Sequence, residues 1–146
     1  MKISSNLHEA VIAGDLHKVK RLVYANPSPT NALITIDGYE AVTPLHLSVK
    51  YNQLEMAAFL TDNGADLELE DRDFEATALG WAAFFGHKDM VELLIKMGAE
   101  VNAPCNPLMI ANDGRYGEWK EFTFAPVEEY QSIMDLLRRH GALTIA

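Results

Sequence analysis

The chain has 146 residues, of which 49% are hydrophobic, and it carries 12 Lys plus Arg against 21 Asp plus Glu for a net charge of −9. That length suits one domain with a sizeable core, and that composition argues against global disorder. A surface so acidic repels phosphate backbones and anionic lipid, so nucleic acid and membranes are not expected as partners.

The first residues meet His8, Glu9 and Asp15 before any apolar run reaches signal-peptide length, and no stretch approaches the roughly 20 apolar residues of a membrane span. Cys105 is alone, so no internal disulfide can form, and a cytoplasmic location is expected. The run LHEAVIAGDLHKVKRLV, 7–23, reads as a helix pair that aligns with 45–61. It sets Glu9 and Arg21 where the later copy has Leu47 and Phe59, as suits an end face turned to water. A connection, YANPSPTNALITIDGYEAV, then makes the step from Leu7 to Leu45 longer than the next one, from Leu45 to Leu79.

The centre of the chain is periodic. TPLHLSVKYNQLEMAAFLTDNGAD, 43–66, lies over TALGWAAFFGHKDMVELLIKMGAE, 77–100, at a constant offset without a gap, with Thr43 over Thr77, Leu45 over Leu79 and Gly64 over Gly98. Thr43 reads as an N-cap with Pro44 at the first helical position, where its missing N–H costs nothing. Asn52 and Gly86 are the residues that tolerate a left-handed helix end, and Gly64 and Gly98 stop the second helix of each pair. Between the copies runs an acidic stretch, 62–75, with Asp62, Asp66, Glu68, Glu70, Asp71, Asp73 and Glu75 against Arg72. It reads either as a solvated turn or as a lure for a basic partner. Such a helix pair cannot bury its own apolar surface, so the copies must stack.

At the far end NPLMIAN opens a helix, and PVEEYQSIMDLLRRHGAL closes the fold with Glu128 and Glu129 in the first turn and Arg138, Arg139 and His140 in the last. Both sets of charges suit the helix dipole. The run DGRYGEWKEFTFAP lies between these helices as an insertion. Its Tyr116, Trp119, Phe122 and Phe124 either fold back over the last core or stand ready as contact anchors.

These copies resemble ankyrin repeats. TPLHLS is close to the T-P-L-H-x-A signature, and GADLE and GAEVNA are similar to that family's repeat endings, although each copy runs one residue beyond the family's usual length of about 33 and the second, TALGWA, has neither the Pro nor the His. The resemblance implies an all-α fold, an ankyrin-repeat solenoid of stacked helix-turn-helix repeats with extended finger turns. It would make 1–146 a single ankyrin-repeat domain, with repeats about 4–36, 37–70, 71–103 and 104–146, the last carrying an insertion at about 113–126.

Catalytic machinery is not expected. His46 and its counterpart His8, with His87 at the start of a second helix, are placed where the family uses histidines structurally, and His17 and His140 are expected to face solvent. There is no C-x-x-C, H-E-x-x-H, EF-hand loop, phosphate loop or G-x-S-x-G elbow, so no metal and no cofactor is expected. Cys105 lies in a loop without a basic cluster to activate it.

The resemblance instead implies protein–protein binding through the concave face and finger turns. By alignment the groove residues are Lys50 and Tyr51, then Phe84 and Phe85; the finger residues are Tyr39 and Glu40 with Val42, then Asp73 and Phe74 with Ala76; Tyr116 and Trp119 are added from the insertion. Trp81, at the place of Leu47, is assigned to the core, and Phe85 above all to an exposed contact whose truncation leaves the fold intact. The expected partner is another protein with a basic-rimmed apolar surface, met by a monomer. An alternative is a dedicated inhibitor, immunity protein or antitoxin that masks one enzyme or toxin; another is a small-ligand binder or enzyme with the insertion as its lid.

Overall fold

A computed structural model describes residues 5–115 and 124–143. Among these, eight α-helices form four antiparallel pairs: α1 (Asn6–Ile12) with α2 (Leu16–Ala25), α3 (Pro44–Lys50) with α4 (Leu54–Asp62), α5 (Ala78–Phe85) with α6 (Lys88–Lys96), and α7 (Pro107–Arg115) with α8 (Val127–Arg139). The first helices stack in one row, α1 on α3 on α5 on α7, and the second helices in another, α2 on α4 on α6 on α8. The all-α repeat architecture expected from the sequence is what the chain adopts.

Local chemistry sets the helix ends. Thr43 accepts from the His46 amide at 3.2 Å while His46 Nδ1 lies 3.3 Å from the Thr43 amide, so the side chains close a capping box across the first turn. Thr77 repeats the cap on the Gly80 amide, but Gly80 has no side chain with which to reciprocate. Gly14, Asn52 and Gly86 end the first helices at φ 72, 52 and 70, in the left-handed region.

Stacking is specified by hydrogen bonds as well as by apolar burial. The residues that open α4 and α6 donate to carbonyls in the last turn of the preceding copy's first helix: Gln53 Nε2 to Val11 at 2.8 Å and His87 Nε2 to Lys50 at 3.1 Å. Tyr130 of α8, fully buried, makes the corresponding bond to the Phe84 carbonyl at 2.8 Å. Asn31 donates to the Gly64 carbonyl and accepts from the Asp66 amide, and Asn102 does the same with Gly141 and Leu143. The core, including Leu45, Leu47, Leu60, Leu79, Met90, Leu94, Ile133 and Leu137, lies between the two rows.

One feature departs from the sequence reading. The first connection contains a β-hairpin, β1 (Ile34–Ile36) with β2 (Tyr39–Val42), turned by Asp37 and Gly38 at φ 58 and 83. Both positive φ values define a two-residue turn whose twist matches the strands. Ala41, at φ 52, supplies a bulge where the register shifts, and Glu75, its counterpart in the next copy, repeats the positive φ at 49 without a strand pair. The helix α7 runs on to Arg115, so its last turn takes in the first residues of the run at about 113–126.

Candidate functional site

The second finger turn is organised by one carboxylate. Asp71 is buried, and its oxygens accept from the amide of Phe74 at 2.8 Å, the amide of Ala76 at 3.1 Å and Trp81 Nε1 at 2.9 Å. Three donors meet the hydrogen-bonding demand of a buried anion. Asp71 is therefore a structural member of the acidic stretch, in contrast to a freely solvated lure. Its neighbour Asp73 accepts from the Glu40 amide at 3.0 Å, and the Arg72 amide donates to the Glu40 carbonyl at 3.3 Å, so the two fingers lie edge to edge.

This arrangement brings the rings together. Tyr39 packs 4.9 Å from Trp81 and 6.4 Å from Phe74, centroid to centroid; Phe74 stacks 6.2 Å from Phe84; Phe85 lies 5.1 Å from Phe84 and 6.0 Å from Trp81. Phe124, at the C-terminal end of the insertion, comes within 4.9 Å of Phe85 and 5.3 Å of Phe84. These six residues, with Ala76, Gly80, Cys105 and Ile110, line a cavity of about 550 Å³, and none of these described lining residues carries a charge.

Gly80 is why the cavity has its shape. It occupies the repeat position of His46, whose ring packs 4.9 Å from Trp81, bonds Thr43 Oγ1 at 2.8 Å and reaches the Ala76 carbonyl at 2.9 Å. In the next copy no ring occupies that place, and a Cβ on Gly80 would meet Cys105 Sγ at 2.8 Å. Thr77 Oγ1 faces Cys105 Sγ at 3.7 Å, where its counterpart meets a histidine.

The expected contact residues divide into groups. Tyr39, half-buried, and Phe74, 58% exposed, line the cavity with Phe84, which is half-buried. Phe85 lines it too, but at 7% exposure it is a wall and not the wet groove contact expected from alignment, because Phe124 lies over it. Glu40 and Asp73 are exposed beside Tyr39 and Phe74. Lys50 and Tyr51 stand apart from the cavity lining: both donate to Asp37 Oδ2 at 2.8 Å, and the Lys50 ammonium sits 4.8 Å from the Tyr39 ring centre. Burial alone would raise the Asp37 carboxyl; hydrogen bonds from Lys50 and Tyr51 outweigh it and hold the group below its ordinary range. Burial would lower Lys50, but its bond to Asp37 carries it above its ordinary value. Tyr116, Trp119 and Phe122 lie outside the described residues.

Trp81 is buried as expected, yet it also lines the cavity, a role the core assignment misses. Sequence reasoning misses Cys105 and Ile110 as well. The signal is present in the replacement of TPLH by TALG, which removes the imidazole at the point where the cavity opens. The histidines serve the fold: His8 Nε2 pairs with the Ala32 carbonyl at 2.9 Å, while His17 and His140 are exposed. Among the described residues no three His, Cys, Asp or Glu side chains gather to hold a metal ion, and no helix is long and apolar enough to cross a membrane.

A family model described as ankyrin repeats, three copies, matches residues 7–114. The ankyrin repeat and SAM domain-containing protein 6 of Rattus norvegicus is 31% identical over 96 residues, 66% of this chain and 10% of that protein. The probable 26S proteasome regulatory subunit p28 of Saccharomyces cerevisiae is 36% identical over 140 residues, 92% of this chain and 58% of that protein. The Notch-regulated ankyrin repeat-containing protein of Homo sapiens is 37% identical over 89 residues, 60% of this chain and 75% of that protein. The chain thus spans between a tenth and three quarters of the length of these relatives.

Proposed function

The chain belongs to the ankyrin-repeat family, and from that premise we propose that it is a protein-binding module, not an enzyme, that grips its partner with the finger turns and the adjoining face of the first helices. The observation that carries this reading is the convergence of Tyr39, Phe74, Phe84 and Phe85 on one apolar cavity beside two exposed carboxylates, Glu40 and Asp73. Aromatic side chains in a desolvated recess are the groups that dominate interface energetics. The net charge of −9 supports a partner with basic residues around an apolar centre, rather than nucleic acid or an anionic membrane. In this reading the protein acts as a cytoplasmic monomer, with 1–146 a single domain. The binding-module reading is further supported by His8, His46 and His87, each of which commits its Nε2 to a backbone carbonyl.

A second reading, a small-ligand binder, draws support from the cavity volume alone, which falls within the range of about 300–1,000 Å³ for ligand sites. Affinity capture from the native host with the wild-type chain and with Phe74→Ala separates the two. A partner retained by the wild type and lost by the variant supports the binding-module reading. No protein retained in a Phe74-dependent way would sink it. If the partner is one enzyme whose activity falls on addition of this chain, the module is an inhibitor.

A further inference from the structure

The two central copies dispose of the same finger carboxylate in opposite ways. In the first copy Asp37 points at the groove and takes both the Lys50 ammonium and the Tyr51 hydroxyl. In the second, Asp71 holds the same repeat position but is turned inward to the Trp81 indole and the finger amides. The groove residues change in step, with Phe84 and Phe85 at the places of Lys50 and Tyr51. One copy therefore closes its finger onto its groove with polar bonds, and in the next the contact between finger and groove is made by rings, with Phe74 stacked on Phe84. With Gly80 at the place of His46, the result is a recess of about 550 Å³.

We infer that this cavity receives one bulky, uncharged side chain of the partner, presented by a segment whose flanking residues are cationic. The inference rests on the binding-module reading above and specifies what the partner brings. The tip is apolar in this inference, because the described residues that line the recess are uncharged and mostly aromatic, and the indole N–H of Trp81 is already committed to Asp71. The flanks must be basic, because Glu40, Asp73 and Glu75 are exposed on the fingers against Arg72, on a chain of net charge −9. Rigid ring walls lose little side-chain freedom when such a group docks.

Cys105 provides the readout. It is the chain's single cysteine and lines the recess, so an occupant slows its alkylation by N-ethylmaleimide. The probes are nine-residue peptides with a central Trp flanked by two lysines on each side, the same peptide with central Ala, the same with glutamates as flanks, and free indole. The Trp peptide with lysine flanks should slow alkylation of the full chain at least tenfold at saturation, and the Ala and glutamate versions should need at least tenfold higher concentration. Glu40→Lys should weaken the lysine-flanked peptide selectively, and Phe74→Ala should weaken every Trp probe. Equal protection by indole and by the lysine-flanked Trp peptide would overturn the inference in favour of a small-molecule site, and an unchanged rate with all probes would overturn it outright. A captured native partner that leaves Cys105 alkylation unchanged would overturn this inference while the binding-module reading stands. Failure to capture any partner, with the Trp peptide still protecting Cys105, would count against the earlier reading alone.

Discussion

Gly86 offers a sharp test of how the end of the insertion docks. Gly86 closes α5 at φ 70, and a Cβ added there would overlap the Ala125 Cβ and stand 3.2 Å from the Tyr130 ring. Gly14 closes α1 at nearly the same φ, 72, but its added Cβ would meet only Gln53 Nε2 at an ordinary 3.5 Å. Gly14→Ala therefore reports the backbone cost alone, roughly 1–2 kcal/mol for an L-residue in the left-handed region. Gly86→Ala should lose that plus about 1–3 kcal/mol of overpacking. With a urea m-value of about 2 kcal/mol per molar, the Gly86→Ala midpoint should fall about 0.5–1.5 M further than that of Gly14→Ala. Far-UV circular dichroism in urea measures both. Adding Ala125→Gly to Gly86→Ala removes the overlapping methyl and should restore most of the difference, a coupling readable in a double-mutant cycle. Equal midpoints for the two alanine variants, or no recovery with Ala125→Gly, would refute the docking of Ala125 on α5.

Three further outcomes follow from the same geometry. Phe85→Ala should cost about 3–5 kcal/mol, as truncation of a buried aromatic does, whereas Tyr51→Ala, 40% exposed, should cost under about 1 kcal/mol; denaturant melts of the two single variants check this. Asp71→Ala strands the buried Trp81 and Ala76 N–H groups and should cost about 3 kcal/mol, with the near-UV dichroism of the tryptophans altered before any loss of helix. His8 and His46 are buried, and desolvation lowers both pKa values despite hydrogen bonds to the Ala32 and Ala76 carbonyls that raise them. The unfolded chain, with histidine near ~6.5, then binds more protons than the folded one, so stability holds above about pH 6.5 and declines as pH falls, by up to ~1.4 kcal/mol per unit for each histidine. Urea midpoints at pH 7.5, 6.5 and 5.5 measure the slope, and His46→Asn should remove about half of it.

Much of this is legible because repeats carry their own internal control. The constant offset between the central copies places the Thr43 and Thr77 caps, the left-handed ends at Asn52 and Gly86, and the burial of Trp81, each of which depends on contacts within a copy or between neighbours. The hairpin has a sequence signal too, Asp37-Gly38 beside Ile34, Thr35 and Ile36, but within a long connection that signal is easily passed over. The burial of Phe85 is not legible, because it depends on Phe124, and no periodic pattern links those two positions. Asp71 shows the limit of charge patterning. A run of carboxylates does not reveal which one turns inward, since that is decided by the Trp81 indole further along the chain. The cavity combines these two blind spots with the loss of a histidine ring at Gly80.

The central claim, that this aromatic junction is the partner-binding surface, is tested most directly by hydrogen–deuterium exchange on the chain bound to its captured native partner. The account predicts slowed exchange in the second finger, 71–76, and around the C-terminal end of α5, with little change along α2, α4 and α6. Protection confined to those second helices, with the finger and α5 unchanged, would contradict it.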